Sequence, residues 1–242
     1  MSQKAYPILM YHSIADMPKE TRMRSLHVSP KRFILQMHLL KLIGYHAVSI
    51  SELQQYLKGK KIGKVVGLTF DDGYRNNLIN ALPIIKKLGF SATIYIVSQN
   101  IGGINQWDID KGLPPNKMMN EREIEKWIDE GMEIGSHSQN HINLTECATE
   151  IAYKEINHSK LDLENRFNTG INHFCYPYGN FNENIVSMTQ KAGYQSATTT
   201  KRGRSKNSDN HLLLPRVKIT HHTLPHLFLI KILSNYEDKR RK

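Results

Sequence analysis

One stretch decides the fold, and it reads Val65-Val66-Gly67-Leu68-Thr69-Phe70-Asp71-Asp72-Gly73-Tyr74. Its apolar and β-branched residues favour a buried strand, which Gly73 ends. A strand that is apolar on both faces is typical of a parallel sheet covered on both sides. Two adjacent carboxylates at its end are costly to bury unless a metal, a proton or solvent compensates them. An Asp-Asp-Gly turn alone is more often a helix cap with a solvated neighbour, so the other segments must decide.

Strands and helices are predicted to alternate along the rest of the chain, with loops over residues 13–28 and 98–119. The predicted strands are 6–12, 46–50, 65–70, 91–97, 132–136, 173–177 and 195–200. The predicted helices are 30–43, 51–59 with a capping box of Ser51 and Gln54, one through Ala81 to Leu88, 120–130 opened by Asn120 and Glu123, 146–167, 182–192 and 224–236. This order predicts an α/β fold with parallel strands. Seven strands fit a small, distorted barrel better than an open sheet, although the pattern alone leaves the sheet open.

The length of the chain allows one large domain or two small ones. The 242 residues contain no Pro-, Gly- or Ser-rich linker and no internal repeat, so we expect a single domain over 1–242 with a basic C-terminal helix and tail from about residue 221. Cys147 and Cys175 are too few for a disulfide framework. We find no signal peptide at the N-terminus, and we therefore expect a location in the cytoplasm or at the inner face of the membrane.

The charge is strongly positive. The formal net charge is +11, and part of it lies in residues 201–206 and 239–242. A solvated surface is the simplest explanation, and the alternative is attraction to an anionic membrane or a phosphorylated glycan carrier. Neither basic run contains interleaved aromatic residues, and no helix-turn-helix pattern is present, so no nucleic-acid partner is expected.

Polar residues collect where the predicted strands end, which is where ligands bind in parallel α/β folds. The spacing of His137 and His141 lets two imidazoles share a cation, although such a pair alone is more often two surface histidines. A carboxylate from another strand end would complete a two-histidine, one-carboxylate set with open positions. The residues at these ends are His12, Asp71, Asp72, His137, His141 and the turn Pro177-Tyr178-Gly179.

The combination resembles the polysaccharide deacetylase family, also called the NodB homology domain or carbohydrate esterase family 4. The matching motifs are Thr69-Phe70-Asp71-Asp72-Gly73, His137-Ser138-Gln139-Asn140-His141 and Tyr176-Pro177-Tyr178-Gly179. The opening Pro7-Ile8-Leu9-Met10-Tyr11-His12 and the later Leu214-Pro215-Arg216 resemble the branch of poly-β-1,6-N-acetylglucosamine deacetylases. The resemblance covers about residues 6–217. It implies a distorted (β/α)7-type barrel, the NodB homology fold, and metal-dependent removal of N-acetyl groups from sugars.

The resemblance also implies roles for particular residues. Asp72, His137 and His141 would bind one divalent metal, usually zinc, with cobalt or nickel as alternatives. Asp71 would be the general base, and the turn at Tyr178 would offer a backbone N–H to the oxyanion. Pro177, Tyr178 and Tyr74 are expected to contact the substrate. This division suits the chemistry, because a metal lowers the pKa of water from about 16 to about 7 and a free carboxylate then takes the proton.

The sequence departs from the family pattern in two places. Many members have an arginine where Cys175 stands, and that arginine orients the base; our hypothesis is that Arg216 replaces it from across the site. Cys175 itself is then a small core residue or, less in keeping with oxygen chemistry, an extra ligand. The general acid is expected to be His12, which ends an apolar strand, with His221 and His222 as alternatives late in the chain.

Other functions stay open at this point. The same fold could hydrolyse a non-sugar amide or an ester. A basic module that only binds anions would explain the charge but not the strand-end residues. Phosphoester hydrolysis would favour a second metal about 3.5–4 Å from the first and more carboxylates than the sequence places. The expected substrate is an N-acetylated sugar of a polysaccharide, an oligosaccharide or a lipid-linked glycan.

Overall fold

The computed structural model describes residues 4–16, 24–109, 111–112 and 114–241. The strands within these residues are β1 (Ala5–Tyr6), β2 (Ile8–Tyr11), β3 (Ser13–Ile14), β4 (His27–Val28), β5 (His46–Val48), β6 (Val65–Phe70), β7 (Thr93–Ile96), β8 (Glu133–Ser136), β9 (His173–Cys175), β10 (Ser196–Arg202), β11 (Ser205–Lys206) and β12 (Leu214–Lys218). The α-helices are α1 (Pro30–Leu42), α2 (Ile50–Leu57), α3 (Leu82–Lys87), α4 (Gln106–Ile109), α5 (Glu121–Asp129), α6 (Thr149–Phe167), α7 (Glu183–Lys191) and α8 (Pro225–Leu233).

Seven parallel strands close into a barrel in the order β2-β12-β10-β9-β8-β7-β6, and β2 pairs with β6 to complete the ring. All six residues of β6 are buried, as its apolar sequence predicts for a strand covered on both faces. The predicted barrel is therefore confirmed. The set of strands that forms the barrel differs from the prediction. Strand β12 is part of the barrel, whereas β5 pairs with the first half of β6 outside it.

The core lies mainly between the barrel and its surrounding helices. Phe33 of α1, Phe70 of β6 and Trp127 of α5 are fully buried and belong to one hydrophobic cluster. The Phe70 ring lies 5.8 Å from Phe33 and 6.0 Å from Trp127, measured between centroids. These contacts fix the end of β6, and with it the position of the two aspartates that follow.

Two predicted boundaries are wrong for identifiable reasons. The first predicted strand is split at Pro7, which has no N–H to donate, so that β1 pairs antiparallel with β11 and β2 enters the barrel. Helix α2 is capped two residues earlier than expected from the Ser51 prediction. Its N-cap is Ser49, whose side chain accepts a hydrogen bond from the Glu52 N–H. The hydroxyl of Ser51 instead hydrogen-bonds Nε2 of His173 at 2.8 Å.

Other segments are more ordered than predicted. The connection over 98–119 includes a 3₁₀ turn at Ser98–Asn100, helix α4, and an antiparallel bridge between Tyr74 and Met118. The helix after Gly73 opens with a π turn at Asn77–Ala81 before α3, beside Pro83, which cannot donate a helical hydrogen bond.

The predicted capping box at the start of α5 is present. Of the predicted loop 13–28, residues 17–23 lie outside the described residues, and its two ends pair as β3 and β4. Across the part of the chain that the structure describes, we find no helix with both the length and the apolar character that crossing a membrane requires.

Candidate active site

The two aspartates leave the end of β6 in different directions. Both are buried, and Asp72 adopts a left-handed backbone conformation with φ of 74°. Among the described residues, four of the five non-glycine residues with positive φ lie at this site: Asp72, Ser138, His141 and Tyr178. Such conformations cost about 1–3 kcal/mol each and persist where the surrounding structure enforces them. Their concentration here marks this end of the barrel as functionally constrained.

Asp72 and the two motif histidines converge on one point. Oδ1 of Asp72 lies 3.3 Å from Nε2 of His137 and 3.4 Å from Nε2 of His141. Nδ1 of His137 hydrogen-bonds the carbonyl of Cys175 at 2.7 Å, which fixes the ring and directs Nε2 inward. Nδ1 of His141 has no hydrogen-bond partner within the described residues. The three side chains form a possible metal site, with ligand atoms within 4.8 Å of one another.

The loop that carries His141 is held by residues that the sequence motifs did not identify. Oγ of Ser138 accepts a hydrogen bond from the His141 N–H at 3.0 Å. Glu155 of α6 is buried and accepts the backbone N–H groups of Gln139 and Asn140 at 3.0 and 2.9 Å. Because these contacts satisfy the loop backbone, the loop keeps its strained shape without a helix between the two histidines.

Asp71 forms a buried, bidentate pair with Arg216 of β12. Both carboxylate oxygens accept from the guanidinium at 2.7 Å, and Arg216 also donates to the carbonyl of Thr199. Burial alone would raise the pKa of Asp71, but the charge and hydrogen bonds of Arg216 hold that pKa below its usual value. Nε2 of His12 lies 3.7 Å from Oδ2 of Asp71. The structure thus places Arg216 where the hypothesis about the missing arginine requires it.

Cys175 belongs to a second geometric cluster with Asp71 and His137. Its sulfur lies 3.3 Å from Nη2 of Arg216. A guanidinium at that distance repels a second cation, so the cluster around Asp72 is the better metal site. Cys175 is fully buried, which fits its interpretation as a small core residue.

A cavity of about 480 Å³ opens above these groups. Its walls include Trp107, Asp108 and Lys111 from the connection after β7, none of which the sequence motifs indicated. The Trp107 ring stacks on His141 at 4.4 Å, and Nζ of Lys111 lies 4.3 Å from the centre of the Tyr178 ring. The unusual length of the connection was the one signal in the sequence that could have pointed to them.

Two of the expected substrate contacts are not at the cavity. Tyr74 is fully buried and donates its hydroxyl to Oδ2 of Asp108 at 3.3 Å, so it supports the cavity wall from behind. Pro177 is also buried, whereas Tyr178 lines the cavity and is 39% exposed. Gly179 has φ of 77°, and a Cβ there would lie 2.0 Å from Oγ1 of Thr200. The turn therefore requires glycine at this position in order to present Tyr178.

The late histidines lie at a different cavity from His12, and several residues of the basic runs form ion pairs within the chain. His221 and His222 line a different cavity from the one that contains Asp71 and Asp72, whereas His12 lines the latter. Within the described residues, three cationic side chains of the basic runs are paired with carboxylates; Lys242 lies outside the described residues. The ion pairs of the basic runs are Arg202 with Glu237, Arg204 with Asp238 and Arg241 with Asp209.

Comparison with known proteins agrees with this geometry. A family model described as polysaccharide deacetylase matches residues 58–197. YxkH of Bacillus subtilis (strain 168), a protein named for the same family, is 31% identical over 216 residues, covering 88% of this chain and 71% of that protein. The poly-β-1,6-N-acetyl-D-glucosamine N-deacetylase of Staphylococcus aureus (strain MRSA252) is 25% identical over 229 residues, covering 89% of this chain and 75% of that protein.

Among solved structures, the Streptococcus pyogenes deacetylase PplD in complex with acetate superposes with a TM-score of 0.83 and 27% identity, covering 96% of this chain and 99% of that one. The barrel of parallel strands, with a carboxylate and two imidazoles at the C-terminal ends of the strands, thus defines the class of protein as a deacetylase-type hydrolase. The chain belongs to the polysaccharide deacetylase family.

Proposed function

We propose that this protein is a metal-dependent N-deacetylase of N-acetylated sugars in a polysaccharide, an oligosaccharide or a lipid-linked glycan. One observation carries the proposal. Two imidazoles share one oxygen of Asp72, and the neighbouring Asp71 is paired with Arg216 instead. Adjacent carboxylates with such different partners are suited to two different tasks, ligand and base.

Asp72, His137 and His141 would hold one divalent cation. The donor set fits, because two neutral imidazoles and a carboxylate are typical ligands of catalytic zinc and leave coordination positions open. Burial lowers the pKa of His141, which favours the neutral ring that a metal needs. Cys175 and Asp72, by contrast, raise the pKa of His137 despite its burial, so a cation would have to displace a proton from that ring. We propose zinc first, with cobalt or nickel as alternatives. When bound, such a cation lowers the pKa of water and stabilises negative charge on the amide oxygen.

Asp71 is the proposed general base. Arg216 keeps it ionised at neutral pH and fixes its orientation, so that its oxygens can take the proton of the attacking water. As the C–N bond breaks, the amine nitrogen must gain a proton. His12 lies beside Asp71 and lines the same cavity, which suits it for that donation. The products are acetate and a free amino sugar.

The substrate class rests on the relatives and on the walls of the cavity. One relative is named for deacetylating poly-β-1,6-N-acetyl-D-glucosamine, and another was solved with acetate bound. In this chain, the rings of Trp107 and Tyr178 flank His141 at 4.4 and 4.7 Å. Aromatic faces offer apolar contact beside polar groups, which suits the C–H faces and hydroxyls of a sugar ring.

The test is an acetate-release screen. The purified protein is stripped with a chelator, reloaded with zinc, cobalt or nickel, and incubated with oligomers of β-1,6- and β-1,4-linked N-acetylglucosamine. An acetylated non-sugar amide and an acetyl ester serve as comparators. We expect metal-dependent acetate release from a glycan. Full activity after stripping, or release from the non-sugar comparators alone, would contradict the proposal.

A further inference from the structure

A second cavity, of about 390 Å³, lies beside the catalytic one. Leu26 lines the catalytic cavity, and the next residue, His27, lines the second. The short pairing of β3 with β4 places His27 opposite Ser13, which directly follows His12. The second cavity is therefore adjacent to the wall that carries His12. Its lining includes Asp16, His27, Ser29, Arg32, His221 and His222.

His27 is the unusual member of this lining. It is 3% exposed, and neither ring nitrogen has a hydrogen-bond partner within the described residues. Burial, together with His12 and His221, lowers the pKa of His27 to about 4. The ring is therefore neutral at pH 7 and offers one N–H donor. Buried polar groups in native proteins are normally paired, so a ligand in the cavity would account for this one.

The surroundings favour an anion as that ligand. The N-cap residues of helices α1 and α8, Ser29 and Leu224, both line the cavity. Neither helix has an acidic residue in its first turn, and no side chain caps α8. The positive ends of two helix dipoles thus add to the charge of Arg32. Asp16 is the opposing charge, and it lies exposed at the rim.

We propose that this cavity binds a phosphate group carried by the glycan substrate. A tetrahedral phosphate accepts hydrogen bonds from several directions, and Arg32, His27, His222 and the uncapped first turn of α8 would supply donors from different sides of the cavity. The inference rests on the proposed deacetylase function and narrows it to a sugar that bears a phosphate monoester or diester. Such groups occur in sugar phosphates, in lipid-linked sugars and in phosphate-bridged polymers.

Binding of inorganic phosphate tests the cavity directly. The metal-loaded, full-length protein is titrated with phosphate by calorimetry or NMR. Arg32→Ala should weaken binding at least about fivefold, the loss of one charge-assisted hydrogen bond. The matched control is Lys31→Ala, which removes an exposed charge from the same helical turn outside the cavity lining. Equal affinities in the two variants would overturn the proposal.

A metal could also bind phosphate, and His141→Ala separates the two sites. This variant should lose the catalytic metal and keep phosphate binding in the second cavity. Loss of phosphate binding in His141→Ala, with retention in Arg32→Ala, would assign the anion to the metal instead. Because this measurement needs no turnover, it stands even if the deacetylase proposal fails.

Kinetics then identify the source of the phosphate. The two arms are N-acetylglucosamine 1-phosphate and its methyl phosphodiester, each compared with the neutral methyl glycoside. His222→Ala changes an exposed residue and should fold even if His27→Ala does not. It should raise KM for the better phosphorylated substrate relative to the neutral one about threefold or more, and Asp16→Asn should lower that ratio. Unchanged ratios in both variants would refute a phosphate subsite.

Discussion

The two ends of the barrel each bury histidine against carboxylate, and the comparison shows what separates a structural cluster from a reactive one. Where the strands begin, Nε2 of His173 lies 3.5 Å from Oε1 of Glu133. Where they end, His137 and His141 approach Asp72 at 3.3 and 3.4 Å. Residue types and distances are nearly the same at the two ends, so neither feature distinguishes them.

In the cluster where the strands begin, the polar groups of His173 and Glu133 all have hydrogen-bond partners. Both ring nitrogens of His173 have hydroxyl partners, in Ser51 and Ser196, each at 2.8 Å. Glu133 accepts from the first backbone N–H groups of α2, at Ile50 and Ser51, and from Thr93. This cluster caps a helix and ties it to the barrel, which accounts for every group in it.

In the cluster where the strands end, the polar groups are not all paired within the described residues. Two imidazoles direct nitrogen atoms at a single carboxylate oxygen, Nδ1 of His141 has no partner among the described residues, and the group borders a cavity. Histidine and carboxylate are present at both ends and do not distinguish them. The reactive end differs because, among the described residues, it has a polar atom without a hydrogen-bond partner and it borders a cavity.

The largest expected effect follows from removing a metal ligand at the reactive end. His141→Ala should lose the metal and reduce kcat by more than the roughly 10²–10⁴-fold that a general base contributes, because the cation acts on both water and carbonyl. Metal content by mass spectrometry and acetate release are the readouts. A His141→Ala variant that contains no metal and is fully active would contradict the distinction between a catalytic and a structural end of the barrel.

Removal of the proposed acid comes next. His12→Ala should keep fold and metal, lose about 10²-fold in kcat, and change the alkaline limb of the pH–rate profile. His221→Ala and His222→Ala are the controls and should have milder effects, since they line the other cavity. Normal turnover in His12→Ala together with inactive late variants would reassign the acid.

The structural end should respond in stability and not in catalysis. Glu133→Gln removes a charged acceptor from two backbone N–H groups, and we expect a loss of about 1–3 kcal/mol in the free energy of unfolding. Metal content and kcat should stay unchanged. Glu125→Gln, an exposed position on α5, is the matched control and should stay within about 0.5 kcal/mol. A large loss of kcat in Glu133→Gln, with an unchanged free energy of unfolding, would contradict the structural role that we assign to Glu133.

The smallest expected effect is a pH dependence. Burial lowers the pKa of His173, so below about pH 6.5 the unfolded chain binds a proton that the folded chain does not. His173 therefore reduces stability as pH falls through that range, by up to about 1.4 kcal/mol per pH unit. Urea unfolding at pH 7.5, 6.0 and 5.0 should give a shallower pH dependence for His173→Gln. Identical slopes would show that this histidine keeps its ordinary pKa in the fold.

Much of the fold could be predicted from local signals. The alternation of apolar strands with helices ended by glycine indicated parallel strands, the number of strands favoured a barrel over an open sheet, and the α5 capping box was visible in the sequence. Local signals could not separate Ser49 from Ser51 as the cap of α2, because both are good cap residues. The choice is made by His173, which lies far away in the chain and takes the Ser51 hydroxyl.

The same limit applies to the site. The motif residues could be placed because the carboxyl ends of parallel strands meet at one edge. Trp107, Lys111 and Glu155 were missed, because their roles depend on contacts with His141, Tyr178 and the loop after His137 that no local spacing encodes. For Tyr74, adjacency to the aspartates suggested substrate contact, but its ring points into the protein and holds Asp108.

The central claim is that Asp72 holds the metal while Asp71 acts as the base, and Asp71→Asn tests it most directly. The variant is purified, its metal content is measured, and its kcat for acetate release is determined on the same preparation. The account predicts a metal content equal to that of the wild type, with kcat reduced by about 10²–10⁴-fold. Loss of the metal from Asp71→Asn, or a normal kcat with the metal in place, would contradict it.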